Sequence, residues 1–285
     1  MTKHIADIER KERLDTFIAA QFPAISRSFL QRLCSNDQVT VNGKPQKSGY
    51  KISPGDEIEV LYDMASIEEI EPIELPVIFE NDDIIVINKP SGVISHARGR
   101  FWNEPSVASF VRQRTGQDGE RAGIVHRLDR ATSGVMVCAK TAQAMVHLQK
   151  QFADRTVIKT YIAAVTGHMK PQAAIIDMPI ERNPKAPATF RVGPNGKPAQ
   201  TIYTVIASGK HGDLLELLPK TGRTHQLRVH LKHTGHPIIG DTLYDGRPYH
   251  RLMLHAKSLQ LTLPDGTKKT FNVPLPAEFN ELTGA

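Results

Sequence analysis

The chain has 285 residues, of which 40% are hydrophobic and 23% charged, the proportions of an ordinary globular protein, so collagen-like, mucin-like and wholly disordered classes are excluded. At roughly 100–200 residues per domain, this length predicts two domains or one large one. Thirty-six Lys and Arg against 30 Asp and Glu leave a net charge of +6, which tilts the expected partner toward a polyanion.

No apolar run approaches the roughly 18 residues of a membrane span, and runs such as Ile84-Ile85-Val86-Ile87 are of strand length. No membrane association is expected. The opening MTKHIADIERKERL is charged throughout, unlike a secretory signal or an acid-poor transit peptide, so a cytoplasmic protein is expected. Cys34 and Cys138 are the two cysteines. They are too few for a disulfide framework or a multi-thiolate zinc site, and read as buried thiols in a reducing compartment.

From Arg13 to Phe22, the residues Leu14, Phe17, Ile18 and Phe22 fall at helical spacing and Pro23 stops the run. Ser26-Arg27-Ser28 offers hydroxyl caps for a second helix with Phe29, Leu30 and Leu33 on one face. Val39-Thr40-Val41 alternates as a strand, Asn42-Gly43 makes a turn, and Gly55-Asp56 leads into a strand carrying Ile58, Val60 and Tyr62. These elements predict a small module of two helices and a sheet over residues 1–62. Residues 63–76 carry acid but no base, with two prolines and no sustained period, and read as a linker.

Residues 77–285 read as a second domain. Val77–Phe79 and Ile84–Asn88 predict a hairpin around Asn81-Asp82, followed by a helix near Pro105–Thr115. Gly134–Ala139 predicts a strand, Thr141 caps a helix with Met145, Leu148 and Phe152 on its core face, and Lys159–Val165 returns as a strand. Strands and helices alternate irregularly and no repeat appears, which favours an α+β domain on a largely antiparallel mixed sheet with flanking helices.

Polar chemistry concentrates in two places. The run His126-Arg127-Leu128-Asp129-Arg130-Ala131-Thr132-Ser133-Gly134 precedes an apolar strand, and an Asp beside arginines is either a low-pKa nucleophile or a surface ion pair capping a turn. In Thr221-Gly222-Arg223-Thr224-His225-Gln226-Leu227-Arg228-Val229-His230, Thr224 is placed to cap a helix. Arg223 and Arg228 fall on different faces, one toward a phosphate and the other toward a carboxylate. His225, His230, His233 and His236 do not share a helical face and lack H-E-x-x-H or a neighbouring Cys pattern, so no metal site is predicted. Lys159 and Tyr161 point to the same side of their strand, and Lys89 ends another strand at a turn, where it is either delivered to a site or solvated. Neither a G-x-S-x-G elbow around Ser133 nor a phosphate-binding glycine loop is present.

On these motifs the sequence resembles the RluA/RluD family of pseudouridine synthases over nearly its whole length. His126–Gly134 matches the family's HRLDxxTSG motif, Thr221–His230 its TGRxHQLRxH signature, and Asn88-Lys89-Pro90-x-Gly92 and Leu254-His255-Ala256 two weaker blocks. Residues 13–60 resemble the S4-like RNA-binding domain that many members carry in front, including its SRSxxQ and VxVNG elements. Two positions depart from the pattern. Asp37 replaces the glycine usual before the first strand of the small domain, and Ala97 stands where a proline often follows the histidine after NKPxG. Aspartate tolerates a left-handed backbone better than most residues.

The resemblance implies isomerisation of uridine in RNA to its carbon-linked isomer, by an aspartate nucleophile and with neither metal nor organic cofactor. By motif, Asp129 is that nucleophile, Arg228 the arginine that pairs with it in a bidentate fork, Tyr161 the tyrosine over the uracil ring, and Arg127 the contact to RNA beside the flipped nucleotide. A stacked uridine has to be flipped to react, and Arg127, Arg223, Lys89, Arg27, Arg32, Lys44 and Lys47 are the expected phosphate contacts. The implied substrate is large-subunit ribosomal RNA or its precursor particle, met by a monomer with a mobile front domain. The alternatives are a tRNA-directed synthase and a non-catalytic RNA-binding assembly factor.

Overall fold

The computed structural model describes residues 2–21, 27–61, 72–96, 104–115 and 122–279. The chain divides into two compact units: Met1–Ile73 with His96–Phe110 and Asp118–Arg121, and Glu74–Ser95 with Val111–Gln117 and Ala122–Ala285.

In the first unit, β1 (Thr2–Ile5) and β2 (Glu12–Arg13) precede the helices α1 (Leu14–Gln21) and α2 (Arg27–Ser35). Then come β3 (Val39–Val41), β4 (Lys44–Pro45), β5 (Lys51–Ile52) and β6 (Glu57–Val60). A four-stranded sheet runs β1-β6-β3-β4. It buries Val39, Val41, Ile58 and Val60 against Leu14, Phe17, Ile18, Leu30 and Leu33, the residues whose spacing predicts the helices. Asn42 and Gly43 both have positive φ, 50° and 74°, as a two-residue hairpin of the I′ kind requires. Asp37 takes φ 57°, so the aspartate adopts the left-handed backbone that its position asks for. Charge and polarity hide β1 from a sequence reading, because its Thr2-Lys3-His4-Ile5 has no apolar alternation; it pairs antiparallel with β6, and Lys3 Nζ adds a bond to Glu57 Oε1 at 2.8 Å. Pro23, Ser26 and Tyr62, residues 63–71 of the 63–76 linker, and Ala97 lie outside the described residues, as do the side chains of Arg27, Ser28, Phe29 and Arg32.

The second unit continues with β7 (Val77–Glu80) and β8 (Ile84–Lys89). Next in chain order is α3 (Val107–Thr115), which opens on a reciprocal pair: Ser109 N–H donates to Ser106 Oγ at 3.1 Å and Ser106 N–H to Ser109 Oγ at 2.8 Å. Next come β9 (Ser133–Ala139), α4 (Ala142–Ala153), β10 (Ile158–Ala164), β11 (Ala173–Asp177), β12 (Ile180–Arg182) and β13 (Phe190–Val192). The chain closes with β14 (Gln200–Gly209), β15 (Gly212–Pro219), α5 (Gln226–His233), β16 (Leu254–Thr262) and β17 (Lys268–Asn272). A nine-stranded sheet runs β11-β14-β15-β10-β16-β9-β8-β7, with β17 beside β16. Of its strand pairings among the described residues, only β9 with β16 is parallel, at Ser133–His255 and Gly134–Ala256. The architecture is α+β on a mostly antiparallel mixed sheet, as the irregular alternation of elements predicts. No helix among the described residues is long and apolar enough to cross a membrane.

All seven residues of β9 and five of the six in β8 are buried. Both runs are continuously apolar rather than alternating because both faces of these strands are covered. After two residues of pairing, β16 leaves β9, and residues 123–126 take over the vacated edge. Ala139 N–H donates to Gly123 O at 2.8 Å, and Val137 N–H donates to the ring nitrogen Nε2 of His126 at 3.1 Å. A side chain thus occupies a ladder position, and the chain leaving it is delivered straight to Asp129.

Candidate active site

The turn that carries Asp129 is fixed from both sides. His126 stacks on Phe152 with ring centroids 4.6 Å apart, and desolvation lowers its pKa to about 3, so it stays a neutral acceptor for Val137. Ser95 Oγ donates to Leu128 O at 2.8 Å and accepts from Leu128 N–H at 3.1 Å. Gly92 N–H donates to Arg130 O at 2.8 Å, Ser91 Oγ donates to Ala131 O at 2.8 Å, and Thr132 N–H closes the turn on Asp129 O at 3.0 Å. Backbone on either side of Asp129 is therefore held, and its side chain is the part left to project.

Lys89 belongs to this clamp. It is fully buried, and its Nζ donates to Pro90 O, Val93 O and Arg130 O at 2.9, 2.8 and 3.2 Å. Burial lowers its pKa to about 7 while the charge of Asp129 opposes the shift. Three carbonyls answer the three N–H bonds that only the ammonium carries. The expectation that Lys89 contacts RNA phosphate is corrected: with every donor committed inside the protein, it braces the Asp129 turn instead.

From the opposite side comes α5. Its N-cap is His225, with φ 56° and no side-chain cap bond, rather than Thr224; Gln226 ties the preceding loop instead, accepting from Thr221 Oγ1 at 2.6 Å and Arg223 N–H at 3.0 Å. Arg228 leaves the first turn toward the cleft. Its fork closes on Asp241, Nε to Oδ2 and Nη2 to Oδ1 both at 2.8 Å, while Nη1 reaches Asp129 Oδ2 at 3.5 Å. The fork expected on Asp129 is thus corrected: it holds Asp241, and a single N–H is left for Asp129. Asp241 is 1% exposed and Arg228 8%. Burial works against the Arg228 charge, and the bonds and charge of Asp241, with Asp129, more than offset it, so its pKa is raised. His225 Nε2 stands 3.9 Å from the same Oδ2.

The third wall is β10. A register shift against β16 falls between Thr160 and Tyr161, and such an irregularity re-aims a side chain. Burial raises the Tyr161 phenol well above its ordinary pKa, and Asp129 adds to the effect. Lys159 lines the same wall, its pKa lowered by burial and then by Arg155. Together these elements enclose a cleft of about 460 Å³ lined by Asp129, Tyr161, Arg228, Arg127, Lys159 and Arg223 among others. That volume falls within the range of small-molecule and cofactor sites.

The structure therefore brings together Asp129, Tyr161, Arg228, Arg127 and Arg223. Arg223 sits at the rim with Nε donating to Pro198 O at 3.0 Å. Lys44 and Lys47 are exposed on the first unit; Arg27 and Arg32 lie on α2, with side chains outside the described residues. Three of the four clustered histidines go separate ways: His225 to Tyr244, His230 to Thr201 and Met178, His236 to Thr166. Among the described residues no group of three His, Cys, Asp or Glu forms a metal-holding set. The sequence reading misses Asp241 and Ser95, which carry no local signal, and the cleft cations Arg155 and Lys220. Lys220 directly precedes Thr221 and Arg155 stands four positions before Lys159, the one cue that could have found them.

Comparison with known proteins bears on this site directly. Residues 83–233 match the family described as RNA pseudouridylate synthase, and residues 12–58 match the S4 domain. The chain is 33% identical over 312 residues to ribosomal large subunit pseudouridine synthase D of Escherichia coli, covering 99% of this chain and 93% of the relative. It is 32% identical to ribosomal large subunit pseudouridine synthase C of Vibrio cholerae, covering 95% and 91%. Among solved structures it is similar to human RNA pseudouridylate synthase domain containing 1, with TM-score 0.61 and 28% identity over 74% of this chain and 87% of that one. An aspartate held at the floor of a cation-lined cleft, in a domain matched over these residues, makes the chain a member of the RNA pseudouridylate synthase family, preceded by an S4 domain.

Proposed function

We propose that this enzyme converts specific uridines of large-subunit ribosomal RNA to pseudouridine, with Asp129 as its nucleophile. The observation that carries the reading is the presentation of Asp129: its backbone is clamped, Arg228 engages Oδ2 at 3.5 Å, and the residue lines the cleft. The relatives named for large-subunit ribosomal RNA match nearly the whole chain, which supports that substrate.

In this reading a uridine is flipped into the cleft, at a cost of a few kcal/mol, and cations at the rim offset it. Asp129 engages the nucleoside at the sugar carbon C1′ or at uracil C6, the C1′–N1 bond breaks, and the base turns to bond through C5. The carboxylate then leaves, C5 loses its proton and N1 gains one, so the product is an isomer of the substrate. Tyr161, partly buried and kept protonated, covers the ring and serves in the proton transfer. Arg228 orients Asp129, while Arg127 and Arg223 hold the backbone of the flipped strand.

Residues 1–62 act as an RNA-binding domain joined by the 63–76 linker to a catalytic domain over 77–285. Lys44 and Lys47, with Arg27 and Arg32, give that domain its phosphate contacts and raise the effective concentration of RNA at the cleft. Two free, buried cysteines support work in the cytoplasm.

The test is pseudouridine mapping across all RNA of a strain lacking the protein, restored with wild type or with Asp129→Asn. Large-subunit sites lost on deletion and regained only with wild type are expected. Regain with Asp129→Asn would overturn the nucleophile, and loss confined to tRNA would overturn the substrate.

A further inference from the structure

His225 is not needed to hold its helix, since its side chain caps nothing, yet its backbone sits in the strained left-handed region at φ 56°. The ring is fixed on two sides. Tyr244 meets it edge-on with centroids 5.6 Å apart, and Phe190 does so at 5.7 Å. The Arg228 guanidinium lies over the Tyr244 ring, 4.9 Å from its centroid. Tyr244 therefore touches both groups that face Asp129.

Hydrogen-bond accounting assigns the protons along this path. Phe190 N–H donates to Tyr244 Oη at 3.0 Å. Burial raises the Tyr244 pKa, so the phenol keeps its proton and needs an acceptor. His225 Nδ1 lies 2.7 Å from Tyr244 Oη. A neutral imidazole that accepts at Nδ1 carries its one proton on Nε2, and Nε2 is the atom facing Asp129 Oδ2 at 3.9 Å. That separation exceeds a hydrogen bond, and such contacts are often long before substrate binds and tighten in the complex.

We propose that His225 is a positioning residue for Asp129, locked by Tyr244 in the Nε2–H tautomer so that His225 and Arg228 both hold Oδ2 and leave Oδ1 to react. Its kinetic consequences rest on the pseudouridine synthase reading; the tautomer does not. The charged and titratable groups that face the ring are Asp129 and Arg127 from the catalytic turn, Arg228 from α5, and Asp241 and Tyr244 from the segment after it; β13 contributes apolar Phe190. Burial lowers the His225 pKa, with Asp129 opposing and Arg228 reinforcing, so the ring is neutral at pH 7. Protonated, it would grip Oδ2 as a full cation and slow the carboxylate.

Two measurements on the full chain test this. Nitrogen NMR of histidine-labelled wild type reads the tautomer and is expected to show Nδ1 bare and Nε2 protonated; a proton on Nδ1 overturns the proposal whatever the activity. Single-turnover rates at saturating RNA are then compared across His225→Ala, His225→Gln and Tyr244→Phe. His225→Ala is expected to slow the chemical step by about tenfold or more with RNA affinity kept. His225→Gln, whose amide N–H stands where Nε2–H stood, recovers most of that loss. Tyr244→Phe removes the donor to Nδ1, so the ring protonates at higher pH and the acid limb of the rate profile moves upward. A His225→Ala rate within about twofold of wild type, a Gln variant no faster than Ala, or an unmoved acid limb overturns the proposal. A wild type that converts no uridine overturns the activity reading instead, and the NMR result then decides the tautomer by itself.

Discussion

Arg228 is shared between two carboxylates, and its planar fork is what permits the sharing. Two parallel N–H bonds go to Asp241, and the third edge of the guanidinium turns to Asp129. An ammonium is a point charge and cannot span both. Arg228→Lys is therefore expected to lower the single-turnover rate by about 100-fold while RNA affinity stays near wild type, as filter binding and tritium release from C5-labelled RNA would show. Asp241→Asn addresses the other end of the pair. It leaves a buried guanidinium without the nearer of its two counter-charges, and breaking such pairs costs about 3–5 kcal/mol. A clearly lowered melting temperature together with a slower chemical step is the expected result, and loss of rate alone would mean that Asp241 acts on the chemistry without holding the arginine.

At the scale of elements, the catalytic turn exists because two strands part. Parallel pairing of β9 with β16 lasts for two residue pairs, and the Asp129 turn feeds directly into it. Gly134 sits at that junction with φ 120°, and a Cβ placed there would stand 2.2 Å from Ala256 O. Neither backbone can yield without shifting its strand. Gly134→Ala is expected to cost at least about 2 kcal/mol of stability, measured by denaturant unfolding, and to slow catalysis because Asp129 is displaced with the strand. The same region shows how much of an element is readable. The apolar runs Ile84–Ile87 and Val135–Ala139 identify β8 and β9, since period and length are local properties. Lys89 is different: a strand-end lysine followed by Pro-Ser-Gly looks solvated or substrate-facing, and only the fold shows three carbonyls converging on it.

For the whole molecule, two units of different size each carry cations of their own. Exposed Lys44 and Lys47 belong to the small one, while Arg127 and Arg223 line the cleft of the large one. If the small unit grips RNA backbone independently of chemistry, replacing both Lys44 and Lys47 by Ala should weaken binding and flatten the salt dependence by about 1.5 in log–log slope. The single-turnover rate at saturation should remain that of wild type. A slope unchanged within error would place the phosphate contacts of the small unit elsewhere.

Read alone, the amino-acid order determined α1 to α5, β3, β6 and β7 to β10, the α+β class and the motifs that identify the family. These rest on short-range signals: helical and strand periods, Asn-Gly at a turn, contiguous polar runs. Tertiary structure alone decided how the site is wired. Asp129 and Arg228 are 99 positions apart, Arg228 and Asp241 13 apart across a helix and a turn, and Lys89 and Arg130 41 apart. Which carboxylate receives the fork, which lysine is buried and which ring nitrogen faces the nucleophile depend on strand order and burial. Those are set by the competition of the whole chain for a core, and no local window contains them.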